Sequence, residues 1–138
     1  MAHGIAQTDV PIDLISVIPN FSDLKLFQDG SSQQTSFLQR YPWIGKRKLV
    51  IYAGTFGKVN NLSYLIDVAY WTSKSDKSVC FLFIGDGREH NKLTAQATRL
   101  DVLNKNVYFL AAMPKRQLAG AFESADICIS TILPISEL

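Results

Sequence analysis

Two stretches of the chain are apolar without interruption, Leu49-Val50-Ile51-Tyr52-Ala53 and Val79-Cys80-Phe81-Leu82-Phe83-Ile84. Runs of this length, with no polar alternation, predict strands covered on both faces, as a parallel sheet requires. The first strand, from Lys48 to Ala53, enters a glycine turn at Gly54-Thr55-Phe56-Gly57. Beyond that turn Leu62, Leu65, Ile66 and Ala69 recur at helical spacing. The second strand enters Gly85-Asp86-Gly87 and then a helix marked by Leu93, Ala97 and Leu100. Val107 to Leu110 is a third strand. Leu118, Ala121, Phe122 and Ala125 give the buried stripe of a third helix, with Pro114 in its first turn. Ile127 to Thr131 is a fourth strand. The order β-α-β-α-β-α-β predicts an α/β, Rossmann-like parallel sheet with flanking helices and right-handed crossovers.

Upstream the pattern is weaker. Ile15-Ser16-Val17-Ile18-Pro19 reads as a short strand, Asp29-Gly30-Ser31-Ser32 as a loop, and Thr35 to Tyr41 as one or two helical turns ending before Pro42. Residues 1–14 are a lead-in and residues 15–138 the domain. The chain stops just after the fourth strand, so the domain is expected to be incomplete at its C-terminal side. The strand at 127–131 is then expected to expose an edge on which another chain can pair.

A length of 138 residues suits one domain, and 47% hydrophobic residues can fill its core. The net charge of +2 gives no reason to expect nucleic-acid binding. The basic run Lys46-Arg47-Lys48 reads as a solvated strand entrance, with contact to an anionic membrane or polymer as the sharper alternative. No apolar run approaches the roughly 20 residues that cross a bilayer, and the first residues lack the pattern of a signal peptide. The expectation is a cytoplasmic protein, or one peripheral to the inner face of the membrane. Cys80 and Cys128 read as buried, reduced thiols, and His90 as a surface residue. With His3 they show no zinc-ligand spacing.

The candidate chemistry lies in the turns, which sit where open α/β sheets bind ligands, at the carboxyl ends of the strands. Gly54 and Gly57 let the backbone approach a ligand, and a helix starting near Asn60 or Asn61 offers unpaired amides, a setting suited to phosphate. Lys58 is the available cation. A tight turn that needs glycine for geometry alone is the plain alternative. Asp86 either contacts ligand or caps the following helix, with Glu89 completing a capping box. Ala112 and Met113, after the third strand, either meet the edge of a base or simply connect. Glu137 is placed to bond a ribose or sugar hydroxyl. The segments form neither a G-x-G-x-x-G fingerprint nor a G-x-x-x-x-G-K-[ST] phosphate loop. No nucleophile elbow, carboxylate pair or Cys/His dyad is identifiable. The proposition to be tested is that the bends after Gly54 and Gly85 converge on one pocket for negative charge.

Several segments, taken in order, resemble the C-terminal half of GT-B glycosyltransferases. Val17-Ile18-Pro19-Asn20-Phe21-Ser22-Asp23, followed by Phe27, is similar to the lead into that half. Leu49 to Leu65 resembles its strand, phosphate loop and helix. Phe83-Ile84-Gly85-Asp86-Gly87 with Leu93 resembles its G-D-G turn. Asn106-Val107-Tyr108-Phe109-Leu110, Leu118, and Ala125-Asp126-Ile127-Cys128-Ile129 with Pro134 resemble its next two strands. The resemblance spans residues 15–138 and implies the donor-binding half of a two-domain, retaining enzyme. Such an enzyme moves sugar from a nucleotide-diphosphate donor to a saccharide or lipid-linked acceptor without a bound metal, here in surface polysaccharide synthesis.

The resemblance implies that Gly54, Thr55, Gly57, Lys58 and Asn60 line the phosphates. It sets Gly85, Asp86, Gly87, Ala112 and Met113 toward the nucleoside, and makes Glu137 the start of an E-x7-E segment. None of these is a catalytic acid or base, so the chain alone is expected to bind donor and not to transfer sugar. Thr55 stands where the family usually has arginine, Asn60 where it has lysine, and Asn61 where it has glycine. These departures keep open a non-catalytic binding or interaction module of the same fold, and a sugar-nucleotide epimerase.

Overall fold

The computed structural model describes residues 11, 14–16 and 30–133, with side chains from residue 35 onward in the long segment. The four strands are β1 (Lys48–Ala53), β2 (Val79–Ile84), β3 (Val107–Leu110) and β4 (Ile127–Cys128). They form one parallel sheet in the order β3-β2-β1-β4. The helices are α1 (Gly30–Arg40), α2 (Leu62–Ser75), α3 (His90–Arg99) and α4 (Lys115–Ser124).

The apolar runs are continuous because alternate residues serve two different cores. On one face Val50, Tyr52, Phe81 and Phe83 pack against Leu62, Leu65, Ile66 and Ala69 of α2 and Leu93 and Ala97 of α3. On the other Leu49, Ile51, Cys80, Leu82 and Ile84 pack against Phe37 of α1, Ile44 and Ala121 of α4. Both faces of β1 and β2 are thus covered. α2 and α3 are joined by Gln96, which is nearly buried. Its Oε1 accepts from Ser63 Oγ at 2.7 Å, and its Nε2 donates to Asp67 Oδ1 at 2.8 Å.

Several expectations are corrected. The segment Gly30-Ser31-Ser32 is the start of α1, not a loop. Its weak local propensity is overridden by docking on α4, since propensity is a small term beside tertiary packing. Ile15 and Ser16 carry no strand, and residues 17–20 lie outside the described residues. Pro114 caps α4 from outside: its carbonyl accepts from the amides of Gln117 and Leu118 at 2.9 and 3.0 Å. β4 pairs over only two residues and shows them to solvent, so Cys128 is exposed, while Cys80 is buried. Asp126 anchors that short strand. Its amide donates to the Leu49 carbonyl at 2.9 Å, and its Oδ2 accepts from the Leu49 amide at 2.7 Å.

Within the basic run, Lys46 and Lys48 are exposed, whereas Arg47 is a structural brace. It donates to the carbonyls of Ile44 and Trp43, to the Lys105 carbonyl at 2.6 Å and to Tyr108 Oη at 3.0 Å. Trp43 stacks on Tyr108 with ring centres 3.9 Å apart.

Candidate functional site

The turns after β1 and β2 are bolted to each other. The Gly54 amide donates to the Ile84 carbonyl at 2.9 Å, Phe56 to Asp86 at 2.8 Å, and Glu89 to Phe56 at 3.0 Å. Phe56 is the bolt's head: it is fully buried, stacks on His90 at 5.7 Å and meets Phe109 edge-on at 6.0 Å. His90 is therefore a half-buried packing residue and not a free surface one. This contact is possible only because two positions lack side chains. A Cβ on Gly85, at φ +148°, would stand 1.9 Å from the Gly54 carbonyl oxygen. One on Gly87 would stand 2.5 Å from the Phe56 carbonyl oxygen.

The two bends open on the same rim. Ala53, Gly54, Thr55, Ile84, Gly85, Asp86, Ala112, Met113 and Leu118 line one cavity of about 330 Å³ at the carboxyl ends of β1 and β2. Thr55 is held by its own carbonyl, which accepts from Tyr52 Oη at 2.9 Å and Asn60 Nδ2 at 2.6 Å. The Thr55 amide has no acceptor among the described residues. Burial pushes the Tyr52 phenol above its ordinary value of 10.0, so it stays a donor to Thr55 at neutral pH.

The remaining candidate residues are elsewhere. Gly57 and Lys58 line a separate cavity of about 290 Å³ with Asn61, Leu62, Ser63, Glu89, Lys92, Leu93 and Leu133. Asn60 spends its side chain inside the loop, and its carbonyl accepts from Thr131 Oγ1. Gly87 packs on Phe56. Asp86 and Glu89 form no capping box: Asp86 Oδ1 accepts from the Gly87 amide at 2.7 Å, and Glu89 pairs with Lys92 at 3.1 Å. α3 has no side-chain cap. α2 starts at Leu62 with Asn61 as its N-cap, at the later of the two expected positions; Lys58–Asn60 form a 3-10 turn before it, and Asn61 lies in the left-handed region at φ 45°. Asparagine tolerates that conformation better than other residues with a side chain. This explains how Asn61 occupies a position where the resembled family has glycine. Glu137 lies outside the described residues.

Sequence reading missed two cations. Asp86 is the only charged residue lining the 330 Å³ cavity. Met113, however, also lines a neighbouring cavity of about 310 Å³, between α1 and α4, with Arg40, Arg116, Ser36, Phe37, Tyr41 and Gln117. Arg40 is directed there by Gln117, whose Oε1 accepts from it at 3.4 Å. The available signal was Lys115-Arg116 directly after Pro114, at a strand's carboxyl end. Arg40 gives no local signal, since it reaches the site only through the packing of α1 on α4. Among the described residues no group of His, Cys, Asp or Glu is arranged to hold a metal ion. None of their helices is long and apolar enough to cross a membrane.

Residues 33–133 match the family described as glycosyl transferases group 1. No curated protein is similar to the chain at a significant level. Solved structures are similar in fold. Anabaena HepE, in complex with UDP and glucose, superposes with a TM-score of 0.74 at 20% identity, over 95% of this chain and 35% of its own. Staphylococcus aureus TarM, a mutant in complex with fondaparinux, alpha-GlcNAc-glycerol and UDP, gives 0.65 at 20% identity, over 91% and 22%. The C-terminal domain of a glycosyl transferase group 1 family protein, LpcC, from Francisella tularensis gives 0.63 at 16% identity, over 78% and 57%. The chain thus spans about a third of HepE.

Proposed function

The chain belongs to the glycosyl transferases group 1 family, and we propose that it carries the nucleotide-sugar donor site of a GT-B enzyme. The carrying observation is the single cavity shared by Gly54, Thr55, Gly85, Asp86, Ala112 and Met113. In this reading the unpaired Thr55 amide meets the diphosphate, and the nucleoside lies toward Ala112 and Met113. Arg40 and Arg116 reach the ligand from the adjoining cavity, and Lys58 adds only long-range charge. The leaving diphosphate is neutralised by amides and guanidinium groups without a metal, as preorganised donors stabilise developing charge. The acceptor is a saccharide or lipid-linked saccharide held by another part of the enzyme. The setting is surface polysaccharide synthesis in the cytoplasm or at the inner membrane face. The chain alone binds donor and transfers no sugar. The exposed edge at Ile127, 54% accessible, suits pairing with another chain, and a stable monomer in sedimentation at high concentration counts against that.

Calorimetry with uridine, guanosine and adenosine diphosphates tests the site. Ala112 is exposed and lines the cavity, so Ala112→Glu adds a repelling charge without disturbing the core. It is expected to weaken binding at least tenfold. Silence toward all three diphosphates supports the second reading, a non-catalytic module, which the lack of any cation in the 330 Å³ cavity favours.

A further inference from the structure

At the opposite end of the sheet, Ser73, Lys74, Lys77, Asp101, Lys105 and Asn106 line a cavity of about 460 Å³. Lys77 precedes β2, and Lys105 and Asn106 precede β3, so the cavity lies at the amino ends of those strands. Six residues of β2 separate it from the donor cleft, about 17 Å at strand rise. The volume falls in the roughly 300–1,000 Å³ range of small-molecule sites.

Its chemistry differs from the donor cleft's. Three ammonium groups face one carboxylate. Lys105 pairs with Asp101 at 2.5 Å, and Lys74 rests over the Tyr70 ring at 4.6 Å. Lys77 has no partner among the described residues. Asn106 is 5% exposed, and its Nδ2 donates to the Ala69 carbonyl at 2.8 Å. That bond fixes which amide atom is which, and leaves Oδ1 a buried acceptor with no partner. A buried polar atom left unpaired is costly and calls for a donor.

We propose that this basic cavity binds a small phosphate monoester bearing a hydroxyl group, of the sugar phosphate class. The lysines take the phosphate as point charges, a role ammonium groups fill well. The hydroxyl donates to Asn106 Oδ1. Inorganic phosphate brings the charge with its only O–H on the phosphorus itself and no hydroxyl beyond it; a neutral sugar brings hydroxyls without the charge. The site is independent of the donor reading.

The test is amide NMR of the 15N-labelled chain at low salt, titrated separately with glucose 1-phosphate, inorganic phosphate and glucose. Glucose 1-phosphate is expected to shift the Asn106 side-chain amide and the Lys77 and Lys105 backbone amides to saturation. Inorganic phosphate is expected to bind at least severalfold more weakly. Lys77→Glu, at an exposed position, is expected to weaken glucose 1-phosphate about fivefold or more. Equal affinity for phosphate and glucose 1-phosphate overturns the proposal, since it shows an adventitious ion only. So does a non-saturating response, or glucose moving the same amides as strongly as glucose 1-phosphate.

Discussion

Gly85→Ala and Gly57→Ala make the same chemical change in two facing turns, and the structure assigns them opposite outcomes. At Gly85 the new methyl would meet the Gly54 carbonyl oxygen at 1.9 Å, its carbon at 3.0 Å and Phe56 Cε1 at 3.2 Å, on a backbone at φ +148°. The obstacle is backbone, so no rotamer change relieves it. Holding alanine in that conformation costs on the order of 1–3 kcal/mol. Parting the turns weakens the Phe56-to-Asp86 or Gly54-to-Ile84 bond, about 0.5–1.5 kcal/mol more. The expected loss is about 2–4 kcal/mol. With a urea slope of about 2 kcal/mol/M, the unfolding midpoint falls by about 1–2 M. At Gly57 a Cβ meets nothing closer than Asn60 Nδ2 at 3.7 Å, and φ is −106°. That variant is expected within about 0.5 kcal/mol of the parent. Equilibrium urea unfolding of the two variants decides. A Gly85→Ala chain as stable as Gly57→Ala would refute the interlocked turns.

Two further outcomes follow from local chemistry. The Ser78 hydroxyl and amide hold the Asp76 carboxyl below its ordinary 3.8. A lowered native pKa stabilises the fold fully above 3.8, and that stability is lost as pH falls through the native value. The stability gap between the parent and Asp76→Asn should therefore close in acid, which unfolding at a series of pH values reads; a pH-independent gap contradicts it. Burial pushes both thiols above the usual 9.0, so access decides their reactivity. A thiol reagent should label Cys128 in the folded chain and reach Cys80 only on unfolding; equal rates would contradict the edge position of β4.

What the sequence disclosed depended on whether a signal was local. β1 and β2 were legible to the residue because burial on both faces forces five apolar positions in succession in β1 and six in β2. The buried stripe Leu62, Leu65, Ile66 and Ala69 was legible for the same reason. Only the second half of α1, from Thr35, was legible; Gly30-Ser31-Ser32 was not, since it is helical only through docking on α4. β4 looked like a core strand by composition, but burial depends on neighbours, and at an edge Ile127 and Cys128 face solvent. The convergence of Gly54 and Gly85 followed from parallel topology. The division of the first turn between two cavities did not, because it hinges on Phe56 turning inward and pinning the loop between them.

The most direct measurement is a titration of the 15N-labelled chain with uridine, guanosine and adenosine diphosphates, read residue by residue. The account predicts that the nucleotide that binds moves the amides of Thr55, Gly85, Asp86, Ala112 and Met113 together, with one dissociation constant, and leaves Lys77 and Lys105 still. Shifts confined to Gly57, Lys58 and Ser63, or separate constants for the Gly54 and Gly85 turns, would contradict a single donor cleft.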